Sequence, residues 1–435
     1  MTPERSAPPA TDTLLEFLYR LAQAYLASGE QTAQVELLLR RVATAYGIRR
    51  ARIIAFPTAI FIIVQDGDQE RVTLAEGPTQ SLRLDQIAHV YTLGQAAQKA
   101  EVTPQAGLER LTEIQRLPAR YGELGILAGH VILTFGMAMV LMPSSTNLAA
   151  AIALGAIVGA LKILNRNRPL LAVPLPVVAA ALVSALVFLA IQYGLPLEPR
   201  HALIAPLVSF LPGGMLTLGM VELAYGDMVS GSSRLVTGFV QLLLLVFGLA
   251  AGATLVGYSP ENLTDTAVTT LSPLWLAVSP WLGVVIFGLG AFYHFSAPKN
   301  SLLWMLFTLL VVYAVQQGAE QFFSERASGF FAMLVVTPLG YLIQLRFRGP
   351  PAMVTFLPSF WLVVPGALGL LSVTQMLSDR AAGTEGLINA LFALTSIALG
   401  TLLGASMYKW LTEKFGWWQL QLGRVGGYFR RKGKR

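Results

Sequence analysis

Cysteine is absent from these 435 residues, which excludes disulfides and thiolate metal sites outright. Histidine is nearly so: His89, His130, His201 and His294 lie far apart, and no metal-ligand spacing runs through them. There is no P-loop, no dinucleotide fingerprint and no GxSxG elbow, so neither a cofactor nor an enzyme is implied. The opening "MTPERSAPPATDT" lacks the basic start and apolar run of a secretion signal. Charge is also scarce. Only 13% of residues are charged and 54% are hydrophobic, with a mean hydropathy of +0.59. A soluble domain carries about a quarter charged residues. Most of this chain is therefore built for lipid.

The charge that exists is unevenly placed. Residues 1–120 hold 13 Lys+Arg and 13 Asp+Glu, so the formal net +7 belongs wholly to the apolar remainder. A basic excess on an apolar chain points to a membrane surface and not to nucleic acid.

The first 120 residues predict a small α+β domain. Leu14, Leu15, Leu18, Leu21, Ala22 and Tyr25 keep helical spacing, and Gly29 ends that helix. Thr32 is placed to cap a second helix, whose buried face carries Val35, Leu38, Leu39, Val42 and Ala43. "ARIIAF", "AIFIIVQ" and "ERVTLA" read as strands, with a hairpin turn at Asp66–Asp68. Helices over Leu84–Lys99 and Pro104–Ile114 lead to the apolar part. Glu30, Glu36, Asp66 and Asp85 read as solvated faces and turns, and no nucleophile–base set accompanies them. The head is expected to be a gate, a lid or an assembly module.

A membrane helix needs about 20 apolar residues. Ten spans are predicted: 124–142, 147–164, 172–193, 201–224, 230–256, 273–295, 301–318, 328–345, 353–377 and 384–411. With the head inside, fifteen Lys and Arg fall in inner loops and the C-terminal tail, and only Arg200, Arg326 and Arg380 fall outside. Basic residues gather on the cytoplasmic side. Ten spans in an inner or plasma membrane, with both termini cytoplasmic, satisfy that rule. The expected divisions are a cytoplasmic domain at 1–120, membrane repeats at 121–260 and 261–411, and a basic tail at 412–435.

The two repeats rest on matched breaks. The fourth span contains "LPGGMLTLGMVEL" and the ninth "VPGALGLLSVTQM". Pairing Pro212 with Pro365, an offset of 153, sets Gly213 on Gly366 and Glu222 on Gln375. Pro143 and Pro298, 155 apart, match at nearly the same offset. A five-span unit repeated in tandem comes back upside down, which is the architecture of many secondary transporters.

A break inside a span frees backbone groups that lipid cannot satisfy, so it survives only in a protein-lined or wet place. Pro212, Gly213 and Gly214 would aim a half-helix N-terminus, with about half a positive charge, at the middle of the bilayer. Pro365 and Gly366 would offer a second such end. A substrate carboxylate could dock there. Glu222, nine residues beyond Gly213 or about 13 Å along a helix, belongs near the cytoplasmic mouth, to bind an amino group or carry a coupling proton. Asp227 suits a gate or a cap. His130, an ionisable group within a span, is a functional candidate. Gln375, set opposite Glu222 by the repeat, joins His130, Glu222 and Asp227 as a candidate for coupling or gating, although like Gln241, Gln316 and Asn389 it also reads as an amide that glues helices together. Lys162 reads as snorkelling to the inner surface.

With these residues in hand, the chain resembles the threonine/serine exporter family. The resemblance runs from about Thr13 to Leu411. It is carried by Gly29-Glu30, Val35-Glu36, Pro57-Thr58-Ala59 and Pro212-Gly213, then by Glu222, Gly226-Asp227, Ser230-Gly231 and Arg234. In the second half Gln375 stands where an acid is expected and Arg380 falls opposite Asp227, so strict symmetry of mechanism is not implied. The resemblance implies proton-driven export of small hydrophilic amino acids, such as threonine and serine, through a fused cytoplasmic domain and two membrane halves. Similar exporters made as two chains are associated with dicarboxylates such as succinate, which stay open as an alternative. A passive channel and a membrane-tethered hydrolase are more remote. The assembly state is left open, a homo-oligomer included.

Overall fold

The computed structural model describes residues 11–48, 50–66, 69–77, 81–141, 143–166, 174–258, 271–363, 370, 372 and 380–414. Helix α1 (Thr11–Ala27) buries the expected stripe of Leu14, Leu18, Leu21 and Tyr25. Gly29, at φ +81°, turns the chain into α2 (Thr32–Ala45). The cap of α2 differs from expectation. Gln31 holds the cap position without a side-chain bond, and Thr32 is the first helical residue with its hydroxyl committed elsewhere.

Strands β1 (Ala51–Ala55), β2 (Ala59–Asp66) and β3 (Gln69–Glu76) form an antiparallel sheet in that order. The pairing of Asp66 with Gln69 leaves a two-residue link, the tightest hairpin the pattern allows. Ile53, Ile60, Ile62 and Val64 supply its buried face. Helices α3 (Leu84–Ala97) and α4 (Pro104–Arg116) complete the unit. Gln86 bonds back to the Arg83 N–H, and Thr103 caps α4 ahead of Pro104.

Among the described residues, eight of the helices that follow are long and apolar enough to cross a membrane, and a bent pair adds a ninth. They are α5 (Gly122–Leu141), α6 (Ser145–Asn165), α7 (Leu175–Gln192), the pair α8 (Pro199–Leu207) and α9 (Gly213–Ala224), α10 (Met228–Leu255), α11 (Pro273–His294), α12 (Leu302–Phe322), α13 (Glu325–Leu345) and α15 (Arg380–Lys414). Helix α14 (Ala352–Val363) opens the expected ninth span, whose remainder lies largely outside the described residues. The chain is a helical polytopic membrane protein with a small mixed unit at its N-terminus.

The repeat is written into the helix seams. Helices α5 and α11 cross antiparallel with backbones in contact. A Cβ added at Gly129 would strike the His294 backbone, at Gly136 that of Phe287, and at Gly290 that of Leu133, while Gly283 lies against Val140. Gly129 and Gly283 are 154 residues apart, as are Gly136 and Gly290, Leu133 and Phe287, Val140 and His294. Exchanging the two helices therefore maps the seam onto itself.

A second seam appears twice. Gly248 and Gly252 of α10 press on the Val177 and Ala181 carbonyls of α7, and Gly400 and Gly404 of α15 press on the Phe330 and Leu334 carbonyls of α13. The glycines repeat at an offset of 152 and their partners at 153. Small residues let membrane helices approach to this distance, where dispersion and weak polar contacts replace the missing hydrophobic drive. Helix α5 leaves the head, whereas α11 runs back to it and ends where the Phe295 carbonyl accepts from the Leu84 N–H at 3.1 Å. The second half is thus inverted relative to the first.

Candidate functional site

The fourth span breaks where the sequence places Pro212. Helix α8 gives way to a single 3-10 turn at Val208–Phe210, Pro212 takes the cap position of α9, and the pair bends by 62°. Pro212 contributes no N–H, and the first described bond of α9 runs from the Leu216 N–H to the Pro212 carbonyl at 2.9 Å. Gly213 is buried, and Gly214 faces Leu357 and Phe360 of α14. The carbonyl freed at Phe210 accepts from the Gln241 amide of α10 at 3.1 Å. That amide, read from sequence as helix glue, repairs the break. Pro365, Gly366 and Gln375 lie outside the described residues.

Just before the break, a basic cluster gathers from α5, α6, α11 and the 3-10 turn. Lys162 Nζ, from α6, donates to Ser209 Oγ at 2.5 Å and sits 3.2 Å from His294 Nε2 at the end of α11. The ammonium also stands 4.5 Å from the centre of the Phe210 ring, a cation–π distance. His294 Nδ1 is 2.9 Å from the Ile126 carbonyl. His130, with no exposed surface, places its ring 4.8 Å from that of His294. Both His130 ring nitrogens lack a hydrogen-bond partner, the nearby Pro206 carbonyl standing outside bonding geometry. Lys162 therefore does not snorkel to the surface: it turns inward, across the bundle. A signal existed in sequence. Gly155, Gly159 and Lys162 share one helical face, and the first two glycines pack on Thr134 and His130.

A second polar group ties the bundle to the head. Glu222 is wholly buried. Its Oε1 accepts from the Thr32 N–H at 3.1 Å and from the Thr32 hydroxyl at 3.3 Å. Its Oε2 lies 2.9 Å from Arg234 Nε of α10, close in charge although the N–H direction misses the hydrogen-bond angle. Arg234 also donates to the Glu30 carbonyl at 2.8 Å. The Glu30 side chain accepts from the buried Tyr91 hydroxyl and from the Gln31 N–H.

Burial pushes the Glu30 carboxyl up, while the bonds from Tyr91 and Gln31 and the Arg234 charge pull it down. Burial and the Glu30 charge together push the Tyr91 hydroxyl well above its usual range. Glu222 was expected to be an open acceptor at a mouth. Its Oε1 is instead taken up by Thr32 and its Oε2 is paired in charge with Arg234, and Thr32, Arg234 and the neighbouring Glu30 have no such role in the sequence pattern. Asp227 stands at the cap position of α10 with no side-chain cap bond. Among the described residues, no three His, Cys, Asp or Glu side chains gather to hold a metal ion.

Known proteins are similar to this chain in sequence. The sequence model of the family described as "Putative threonine/serine exporter" matches residues 16–256. A "Probable threonine/serine exporter" of Mycobacterium tuberculosis is 27% identical over 97% of this chain and 80% of its own length. The "Threonine/serine exporter" of Corynebacterium glutamicum is 22% identical over 91% and 81%. "Pheromone-regulated membrane protein 10" of Eremothecium gossypii is 27% identical over 45% of this chain, which spans only 27% of that fungal protein. No solved structure matches. The match over more than half the chain, with the head, the broken fourth span and Glu222 all inside it, settles the placement: the chain belongs to the threonine/serine exporter family.

Proposed function

We propose that this protein is a secondary exporter of small hydrophilic amino acids of the threonine and serine type, coupled to protons and working by alternating access. The observation that carries this is the fourth span, bent by 62° at Pro212 inside one of two inverted, seam-matched halves. Inverted repeats give one sequence two nearly equivalent packings, one open to each side. A broken helix at their junction offers a carboxylate the N–H groups of Gly213 and Gly214 and the positive end of α9. The relatives named as threonine/serine exporters support the substrate class.

The head sits on the end of the bundle where α6, α9 and α11 finish, and the distribution of basic residues supports a cytoplasmic side for that end. Gly29–Thr32, docked on Glu222 and Arg234, then forms a latch over the inner mouth. Protonating Glu222 weakens its hold on Arg234 and on the Thr32 donors, which links the latch to protons. Asp227, at the turn between α9 and α10, belongs to the same hinge.

Export of a dicarboxylate is the second reading, favoured by a specific observation: Lys162 is a basic residue held within the spans, which a second carboxylate would welcome. Purified protein in liposomes loaded with labelled threonine or labelled succinate separates the two. Threonine efflux that rises with an imposed pH gradient and is lost in Glu222→Gln is the expected result. Succinate efflux alone replaces the substrate, and gradient-independent flux of either solute turns the assignment toward a channel.

A further inference from the structure

The bonds around Lys162 leave a charge without its opposite. Among the described residues no carboxylate lies within ion-pair distance of Nζ; its partners are a hydroxyl and an imidazole. A cation inside the membrane costs several kcal/mol unless an anion or strong acceptors face it. Beside it, the fully buried His130 presents two unpartnered ring nitrogens, and Thr134, one turn further along α5, has a buried unpartnered hydroxyl. A buried polar atom left unsatisfied costs about 1–3 kcal/mol. A lone ammonium next to orphaned donors and acceptors describes a place meant to be filled.

We infer that Lys162, Ser209, His294 and His130 form the seat of the substrate's carboxylate, beside the break and toward the head end of α6 and α11. This rests on the export reading and names what its site holds. The third N–H of Lys162 and the one ring N–H of a neutral His130 provide a donor for each carboxylate oxygen, and Ser209 fixes the lysine at the 3-10 turn before Pro212. The ligand class is a small carboxylate, either the α-carboxylate of an amino acid or one end of a dicarboxylate.

The repeat supplies an independent argument. At the seam offset of 154, Lys162 corresponds to Gln316, His294 to Val140 and His130 to Val284. At the offset of 153 that relates the two breaks, Ser209 corresponds to Leu362. Three of the four counterparts are apolar and the fourth, Gln316, is uncharged, so packing that both halves share does not call for the charge and the imidazoles of this cluster. The cluster draws Lys162, His130 and Ser209 from the first half and His294 from the second. The mirrored set of Gln316, Val284, Leu362 and Val140 carries no ionisable group, so the exporter has a carboxylate seat at one of two related places and none at the other. Substrate is then gripped on the side it leaves and held less tightly where it is released.

The test is equilibrium binding of labelled threonine and labelled succinate to the purified full chain in nanodiscs, with threonine efflux measured on the same preparations. The variants are Lys162→Gln, Lys162→Arg and His130→Gln, and the competitor is threoninol, which keeps the amine but lacks the carboxylate. Removing one charge-assisted hydrogen bond is expected to weaken carboxylate binding in Lys162→Gln by roughly ten- to a hundredfold. Lys162→Arg should recover most of it, and threoninol should fail to compete. Threonine weakened alone identifies an amino-acid carboxylate, and succinate weakened alone identifies a dicarboxylate. Carboxylate binding unchanged in a well-folded Lys162→Gln, competition by threoninol equal to threonine, or no binding of either carboxylate to wild type overturns the inference. Wild-type efflux with unchanged Lys162→Gln binding sinks the seat alone. Absent efflux with Lys162-dependent binding sinks the export reading and leaves the seat.

Discussion

At the scale of single residues, the structure turns on charges that face inward. Glu222 and Arg234 form a buried pair between α9 and α10, with Thr32 completing the carboxylate's bonds. Such pairs add little net stability, but removing one partner strands the other, at about 3–5 kcal/mol. Arg234→Leu is therefore expected to destabilise the purified chain more than the paired change Glu222→Gln with Arg234→Leu, as read from thermal midpoints. Equal losses would show that the two charges do not depend on each other.

Glu30 carries a pH signature. Its folded carboxyl is raised above the unfolded value of 4.5 by burial, so the fold holds that proton more tightly than the unfolded chain does. The stability it contributes is complete below the unfolded value and is lost as pH rises through the raised one. Glu30→Gln, whose amide can still meet the Tyr91 hydroxyl, removes that slope. The variant's thermal midpoint should exceed wild type at pH 7 and converge on it near pH 4.5. A constant difference across that range would contradict the assignment.

At the scale of elements, the glycine seams make a quantitative demand. Gly252 against Ala181 and Gly404 against Leu334 are the same contact in the two halves. Gly252→Leu and Gly404→Leu should each cost about 1–3 kcal/mol through overpacking, measured as a loss of folded protein after heating. A large loss at one position and none at the other would break the equivalence.

The elements themselves were legible in sequence because hydropathy and helix breakers are local signals. The described spans start and stop within about four residues of the expected positions. The break at Pro212 was legible for the same reason. The directions of Lys162, Arg234 and Thr32 were not, since each depends on what another helix brings near. A charge close to a span end reads as snorkelling until the glycine face beneath it is seen to pack inward. The Thr32 hydroxyl reads as a cap until Glu222, 190 residues away, takes it.

At the scale of the whole molecule, the account requires a fixed orientation and a moving barrier. Tyr193, 82% exposed at the bundle end away from the head, and Glu101, exposed on the head, mark the two ends. Because the chain has no cysteine, single-cysteine variants report cleanly. Tyr193→Cys should react with a membrane-impermeant maleimide on intact cells, and Glu101→Cys only after permeabilisation. The reverse pattern would invert the topology.

The central claim, that the broken fourth span lies on a path opened alternately to each side, is tested most directly by Ser209→Cys in proteoliposomes. The measurement is its reaction rate with an impermeant thiol reagent added inside or outside, with and without saturating threonine and a pH gradient. The expected result is reactivity from both sides, a ratio that shifts with the gradient, and protection by threonine or by succinate. Reactivity from one side only, indifferent to gradient and solute, would contradict it.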